Sequence, residues 1–455
     1  MAEFTMREVL EATGGQLMNT ASVNTFYGIS TDTRTLQPGN LFIALIGENF
    51  DGHNFAAQAA KLGAGGIIVS KEVTGISEKV ALFTVKDTLQ ALQNLAAFHR
   101  QRFSFPVIAI TGSNGKTTTK DMVAAMLEAK YRVLKTEANY NNDIGLPLTL
   151  LKFTTRHQAA VVEMGMRGRG EIKRLADVAK PTIGIITNVG ETHLELLGTV
   201  ENIAAAKGEL IESLGTGDVA ILNADIPLVR SMTSLSRAKA VFYGLNTAGA
   251  CVKALNIHSA DEGTTFDCVH PAGQFTVKLH AIGKHNVYNA LAAIATGLEL
   301  GLTPNEIALG LENFVSGAMR LHIETKGDYT VINDAYNASP LSMTAAIETL
   351  STVAKGRKVA VLGDMLELGD VAVDAHRRIG KKLAAEGVQV VITLGELAKN
   401  IAHAALKDRV AVTVSCKNHE EVKEALSKLM RPGDTVLLKG SRGMRMEKVM
   451  EIFKS

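Results

Sequence analysis

The stretch VIAITGSNGKTTTKDMVAAML, Val107 to Leu127, restricts the fold more than any other part of the chain. An apolar run, readable as a buried strand, enters a glycine-rich turn, and a Lys-Thr pair then opens a helix. That order sets a loop of backbone N–H groups at a helix N-terminus, where the helix dipole favours negative charge. In the usual phosphate loop, G-x-x-x-x-G-K-[ST], the first glycine would fall at position 110, which is Ile110. The loop here is shorter: Gly112, Ser113, Asn114 and Gly115, then Lys116, Thr117 and Thr118. Lys116 suits the β- and γ-phosphates of ATP, and the Thr117 hydroxyl suits Mg²⁺.

What surrounds this unit sets the architecture. AAVVEM, TIGIITNV, DVAILN and AVFYG read as further buried strands, several separated by helical segments. Residues 105–316 are therefore expected to form a central domain with a mostly parallel sheet and helices on both faces. Between Cys251 and Leu279 polar and apolar residues alternate around Asp-Glu-Gly and Pro-Ala-Gly turns, which predicts antiparallel strands appended to that sheet. Residues 1–104 read as a small α/β domain: GNLFIALIG and AGGIIVS as strands, FAAQAAKLGA as a glycine-capped helix, and Thr88 to Arg102 as a helix leading to Pro106. Residues 317–455, with YTVINDAY, KVAVLGD, VQVVITLG, VAVTVS and DTVLLKG, read as a Rossmann-like doubly wound domain. The string Thr325-Lys326-Gly327-Asp328 matches the T-K-x-D signature of guanine-specific GTPases, but it falls in a predicted hairpin turn and is read as chance. A three-domain α/β protein agrees with 455 residues, too many for one ordinary core.

Composition removes several classes of function. The net charge is +2, Trp is absent and aromatic residues make up 5%, which argues against a nucleic-acid partner. The three cysteines form no C-x-x-C and read as idle thiols. No apolar run approaches the ~20 residues of a membrane span, and the N-terminus lacks the apolar core of a signal peptide. A cytoplasmic protein without membrane insertion, acting as a monomer, is expected.

Beyond the loop, several residues carry chemistry under one reading and little under another. Glu163 ends a strand beside the loop strand, where a Mg²⁺ contact belongs, and otherwise is a surface carboxylate. His193 follows another strand at the carboxyl edge, as a metal ligand or a solvated side chain. Lys207 shares a helix with apolar Ile203, Ala206 and Leu210 and reads as a snorkelling edge lysine. Asn286 opens an apolar helix, as an N-cap or as a reader of an adenine edge. Arg320, at the join to the last domain, fits either a reach to the γ-phosphate on closure or a surface ion pair. Asp334, Tyr336 and Asn337 end a strand of the last domain, again at a carboxyl edge.

The strings TGSNGKTTT, VVEMG, TNVGETHLE, AAAKGEL, GKHNVYNALAA and NDAYNASP occur in an order that resembles the Mur ligase superfamily. These are the ATP-dependent amide-forming ligases of peptidoglycan assembly, and the resemblance covers essentially the whole chain. It implies that Lys116 and Thr117 bind phosphate and metal, that Glu163 holds a first Mg²⁺, and that His193 holds a second. It implies that Lys207 becomes carbamylated and so turns into an anionic oxygen ligand. It further implies that Asn286 contacts adenine, that Arg320 contacts phosphate across the cleft, and that Asp334, Tyr336 and Asn337 face the nucleotide. Thr31, Asp32, Arg34, Asp51 and His53 match the UDP-sugar pocket, and Asn139 and Asn142 a loop near the sugar-peptide. The strings NYNNDIGLPLTLL, VLGDMLELGD and LLKGSRGM are similar to the branch that joins D-alanyl-D-alanine to UDP-N-acetylmuramoyl-tripeptide. The Asp-Asn-Pro-Arg string common in the branch adding diaminopimelate is missing. For D-alanyl-D-alanine itself, Asp364, Glu367 and His376 are candidates, or else helix caps and surface charges.

Overall fold

A computed structural model describes residues 2–260, 262–317 and 319–453. Three large sheets and one two-stranded antiparallel pairing, Glu3–Thr5 with Thr25–Tyr27, organise the described residues. The first has five strands in the order Gln16–Leu17, Ala81–Thr84, Gly66–Val69, Leu41–Ile43 and Ile29–Ser30, parallel except at the first pairing. Its residues alternate between two cores: Phe42, Ile67 and Val69 pack on one face, and Leu41, Ile43, Ile68 and Phe83 on the other. The helix Ala56–Lys61 ends near Gly63, whose φ of +91° suits glycine.

The helix Thr88–Arg100 stops two residues short of the sequence expectation, because Arg102 N–H turns back to the His99 carbonyl at 3.1 Å. It belongs to both neighbours. His99 bonds the Phe153 carbonyl at 3.0 Å, and Arg100 Nε donates to the Ala179 carbonyl at 2.9 Å. One apolar core runs from Phe4 and Phe26 through Leu92 and Leu95 to Val107, Leu150 and Ile172. The first sheet is thus fastened to the central one through shared core, which no linker composition announces.

The central sheet has nine strands, in the order Gly273–Leu279, Gly263–His270, Val252–Ala260, Lys239–Gly244, Val219–Asn223, Ile183–Ile186, Val107–Thr111, Ala159–Glu163 and Val133–Lys135. The first two pairings are antiparallel, as the alternation between Cys251 and Leu279 predicts, and the remaining pairings are parallel. In Val107–Thr111 successive side chains enter opposite cores: Val107 and Ala109 on one face, Ile108 and Ile110 on the other. Ile110 pairs with both Glu163 and Ile185 inside the sheet. Position 110 is therefore strand, and the loop starts only at Gly112. The following connections leave to opposite sides of this strand, which opens a crevice over its carboxyl end.

The last sheet has six strands, in the order His322–Lys326, Tyr329–Asp334, Thr435–Lys439, Lys358–Gly363, Val390–Leu394 and Val412–Cys416, all parallel but the first. The string Thr325 to Asp328 lies at the tight turn between its first two strands, with Gly327 at φ +57°. Of the cysteines, Cys251 is exposed while Cys268 and Cys416 are buried, and burial pushes the latter two thiols up to about 12 and about 11. Among the described residues no helix is long and apolar enough to cross a membrane.

Candidate active site

The glycine loop has its shape because nothing larger fits. A Cβ on Gly112 would lie 1.9 Å from Thr187 Oγ1, and one on Gly115, at φ +80°, would lie 2.5 Å from Asn289 Oδ1. The loop is pinned from the next strand's end: Ser113 N–H donates to the Asn188 carbonyl at 3.0 Å, and Asn114 N–H to Asn188 Oδ1 at 2.8 Å. Helix Lys116–Leu127 begins directly after Gly115 with no side-chain cap. Its first-turn N–H groups are left for a ligand.

Around this helix start the side chains fall into pairs. Thr117 Oγ1 donates to Glu163 Oε2 at 2.7 Å, and Asn141 Nδ2 donates to Glu163 Oε1 at 2.8 Å. Lys116 Nζ folds back to the Gly112 carbonyl at 2.8 Å. Burial lowers its pKa, Arg320 adds to the effect, and Glu163 opposes it. Lys207, on helix Val200–Glu212, is only 2% exposed, so it is not the snorkelling edge lysine its helical spacing suggests. Among the described residues no side chain hydrogen-bonds its amine. Burial first, and the Lys116 charge second, hold its pKa well below the ordinary lysine value. Both effects shift its balance toward the neutral amine.

A cleft of about 1060 Å³ opens over these groups, walled by the central and last domains. Ser113, Asn114, Gly115, Lys116, Thr117, Thr118, Asn139, Asn142, Glu163 and His193 line it from one side, with Asn286. Arg320, Asp334, Tyr336 and Asn337 line it from the other. Gly112 and Lys207 are buried and do not line it. Thr31, Asp32, Arg34, Asp51 and His53 stand apart from it, in the first domain. There Arg34 grips Asp32 at 2.6 to 3.0 Å, while Asp51 binds Lys71 and His53. His53 is buried with both ring nitrogens engaged, Nδ1 with Asp51 and Nε2 with Ser70, so it shapes the turn.

Several local expectations change. The N-cap of helix Lys284–Glu299 is Gly283, and Asn286 reaches back to the Ile282 carbonyl at 2.9 Å. Arg320 makes no ion pair among the described residues; its guanidinium lies over the Tyr336 ring, 3.9 Å from the centroid. Asp334 pairs with buried Lys439, which also donates to the Asn337 carbonyl at 2.9 Å. Of Asp364, Glu367 and His376, only Glu367 reaches the cleft. His376 is buried between Met365 N–H and the Ala372 carbonyl, and Asp364 accepts Ala398 N–H at 2.7 Å.

Other wall residues escaped sequence reasoning. Asp225 accepts hydrogen bonds from Leu245, Thr247 and Tyr288. Burial pushes its pKa up, but these donors outweigh burial and hold it at about 2. Its place just past strand Val219–Asn223, at the carboxyl edge, was the available signal. Two buried polar atoms on the wall, Asn114 Nδ2 and His285 Nε2, have no partner among the described residues, as expected where a polar ligand completes the bonding. Burial also lowers the His285 pKa to about 4.

The donor set fits a hard divalent cation. Thr117 and Glu163 bring oxygens together, whereas no group of three or more His, Cys, Asp or Glu converges among the described residues. A cation here would complete its shell with phosphate oxygens and water.

Comparison with known sequences decides the family. The profile of the Mur ligase family catalytic domain matches residues 25–100, that of the Mur ligase middle domain 110–297, and that of the Mur ligase glutamate ligase domain 319–442. The chain belongs to the Mur ligase family. Within it, the UDP-N-acetylmuramoyl-tripeptide–D-alanyl-D-alanine ligase of Bacillus subtilis (strain 168) is 42% identical, with 99% of this chain and 98% of that protein aligned. The enzyme of that name from Escherichia coli (strain K12) is 36% identical over 99% of this chain and 98% of its own. Among solved Mur ligases, a crystal structure of MurF from Acinetobacter baumannii superposes with a TM-score of 0.92 at 32% identity, covering 100% of this chain and 99% of that one. MurF from Thermotoga maritima in complex with ADP gives 0.84 at 29% identity, covering 93% and 96%.

Proposed function

We propose that this chain is an ATP-dependent amide ligase that joins D-alanyl-D-alanine to UDP-N-acetylmuramoyl-tripeptide in cytoplasmic peptidoglycan precursor synthesis. The observation that carries the reading is a glycine phosphate loop and an arginine from a different domain facing one cleft, in a chain that matches ligases of that name from end to end. The terminal carboxylate of the tripeptide attacks the γ-phosphorus of ATP, forming a P–O bond as the bond to ADP breaks. The D-alanyl-D-alanine amine then attacks the acyl carbon, loses a proton and displaces phosphate.

The loop N–H groups and Lys116 hold the phosphates, and Arg320 reaches them from the opposite wall. Tyr336 keeps the Arg320 guanidinium flat and poised. Asn286 takes the adenine, with Asp334 and Asn337 on the nucleotide's far side. Thr31, Asp32, Arg34 and Asp51 receive the UDP-sugar, and Asn139 and Asn142 border the peptide. Glu163 and Thr117 would hold one Mg²⁺, and His193 with a carbamylated Lys207 a second. Bound there, the ions neutralise charge on the transferring phosphoryl group. The neutral Lys207 amine suits carbamylation: its nitrogen bonds the carbon of CO₂ and one proton leaves. The anionic oxygens so gained are what hard Mg²⁺ prefers over an amine. Positioning and fixed charge supply most of the acceleration, and closure of the walls shields the acyl phosphate from water.

Phosphate release from Mg·ATP tests the assignment. Release is expected only when UDP-N-acetylmuramoyl-tripeptide and D-alanyl-D-alanine are both present, with a product of UDP-pentapeptide mass. Release with the dipeptide nucleotide and a free amino acid would move the enzyme one step back. Release indifferent to any acceptor would overturn ligation.

A further inference from the structure

One close meeting of the two cleft walls joins a residue of the proposed chemistry to one outside it. His193 Nδ1 lies 2.6 Å from Glu367 Oε2, two residues separated by 174 positions and belonging to different domains. The backbones are drawn together as well: Glu195 N–H donates to the Glu367 carbonyl at 3.3 Å. Gly369, at φ +57°, comes so close that a Cβ there would lie 3.3 Å from Glu195 Cα. Both partners are non-glycine residues in the left-handed region, His193 at φ +56° and Glu367 at φ +63°. Such conformations persist where the surroundings over-determine them.

The bond selects a tautomer. A carboxylate can only accept, so in the neutral ring Nδ1 of His193 carries the proton and Nε2 keeps its lone pair. Among the described residues nothing hydrogen-bonds Nε2, and the side chain lines the cleft. A histidine ligand oriented by a carboxylate on its other nitrogen is a general device for fixing a metal site. Here the orienting carboxylate comes from the domain across the cleft.

We propose that Glu367 is a positioning residue that aims His193 into the cleft only when the last domain is docked, so that docking completes the metal site. The inference rests on the reading of His193 as a metal ligand.

The test is Mn²⁺ binding to the full chain with saturating ADP, followed by electron paramagnetic resonance of the free ion, without turnover. Glu367→Ala should weaken Mn²⁺ binding about tenfold or more. Glu367→Gln, whose amide oxygen still accepts from Nδ1, should retain most of the affinity. His193→Ala should weaken binding at least as much as Glu367→Ala. Unchanged affinity in His193→Ala would remove the ligand reading and this inference with it. Weakened binding in His193→Ala beside normal binding in Glu367→Ala would overturn this inference alone. Arg378→Ala serves as the control, since Arg378 pairs with Glu191 across the same interface without touching His193. Near-normal affinity there supports a specific role for Glu367. A loss equal to that of Glu367→Ala would assign the effect to docking in general and overturn the positioning role.

Discussion

Two lysines, from the domains on either side of the cleft, are buried to the same degree and treated in opposite ways. Lys439, at the end of strand Thr435–Lys439, is 2% exposed and meets the Asp334 carboxylate and the Asn337 carbonyl. Lys207 is also 2% exposed, yet among the described residues it pairs with no carboxylate, and the nearby charge is the like charge of Lys116. A buried cation is tolerated when it is paired and hydrogen-bonded, and otherwise surrenders its proton. The pair at Lys439 fixes the turn that presents Tyr336 and Asn337. At Lys207 burial and the Lys116 charge both disfavour the protonated amine. Burial alone therefore does not distinguish the two lysines; the presence or absence of a counter-charge does.

The contrast can be broken by substitution. Lys207→Ala should cut turnover by about a thousandfold or more, the worth of several kcal/mol of metal-assisted charge stabilisation. Short carboxylic acids added to that variant should restore part of the rate, as initial velocities would reveal. Full activity in Lys207→Ala would end the carbamate reading. Lys439→Met should act on stability, because it strands the Asp334 carboxylate. A loss of about 3–5 kcal/mol in denaturant unfolding is expected. His193→Ala sharpens the comparison on the metal side: the Mg²⁺ concentration for half-maximal rate should rise about tenfold or more, and an unchanged titration would take His193 out of the metal shell. The smallest effect is expected where the contrast is sharpest. Lys207→Met removes an amine without a partner and should leave unfolding free energy within about 1 kcal/mol of the parent. A loss as large as that of Lys439→Met would mean that Lys207 has a structural partner after all.

What the sequence disclosed follows the range of the interaction responsible. The strand, loop and helix from Val107 to Leu127 are legible because each cue acts over a few residues: apolar alternation, glycine, helix start. The antiparallel addition after Cys251 is legible for the same reason. Lys207 was misjudged, since helical spacing tells which face it shares but not that the face is sealed by packing from elsewhere. His376 looked as available as Glu367, yet it lies in the core between Met365 and Ala372, while Glu367 sits against His193. Those fates depend on how loops far apart in the chain meet. Asn286 went halfway: its helix is where the periodicity puts it, but Gly283 takes the cap.

One small bond has a consequence for how such chains vary. Ser339, which caps helix Pro340–Val353, donates its hydroxyl to Asn114 Oδ1 of the phosphate loop at 2.9 Å, across 225 positions. The same hydroxyl accepts the Ser342 N–H of its own helix, so it serves two masters. A lineage that replaces the serine loses a helix cap and a loop contact in a single step, and one that replaces the asparagine leaves the hydroxyl without its acceptor. The two sites are therefore expected to drift together over evolutionary time, and an alignment deep enough to measure covariation should recover this pair among its longest-range couplings.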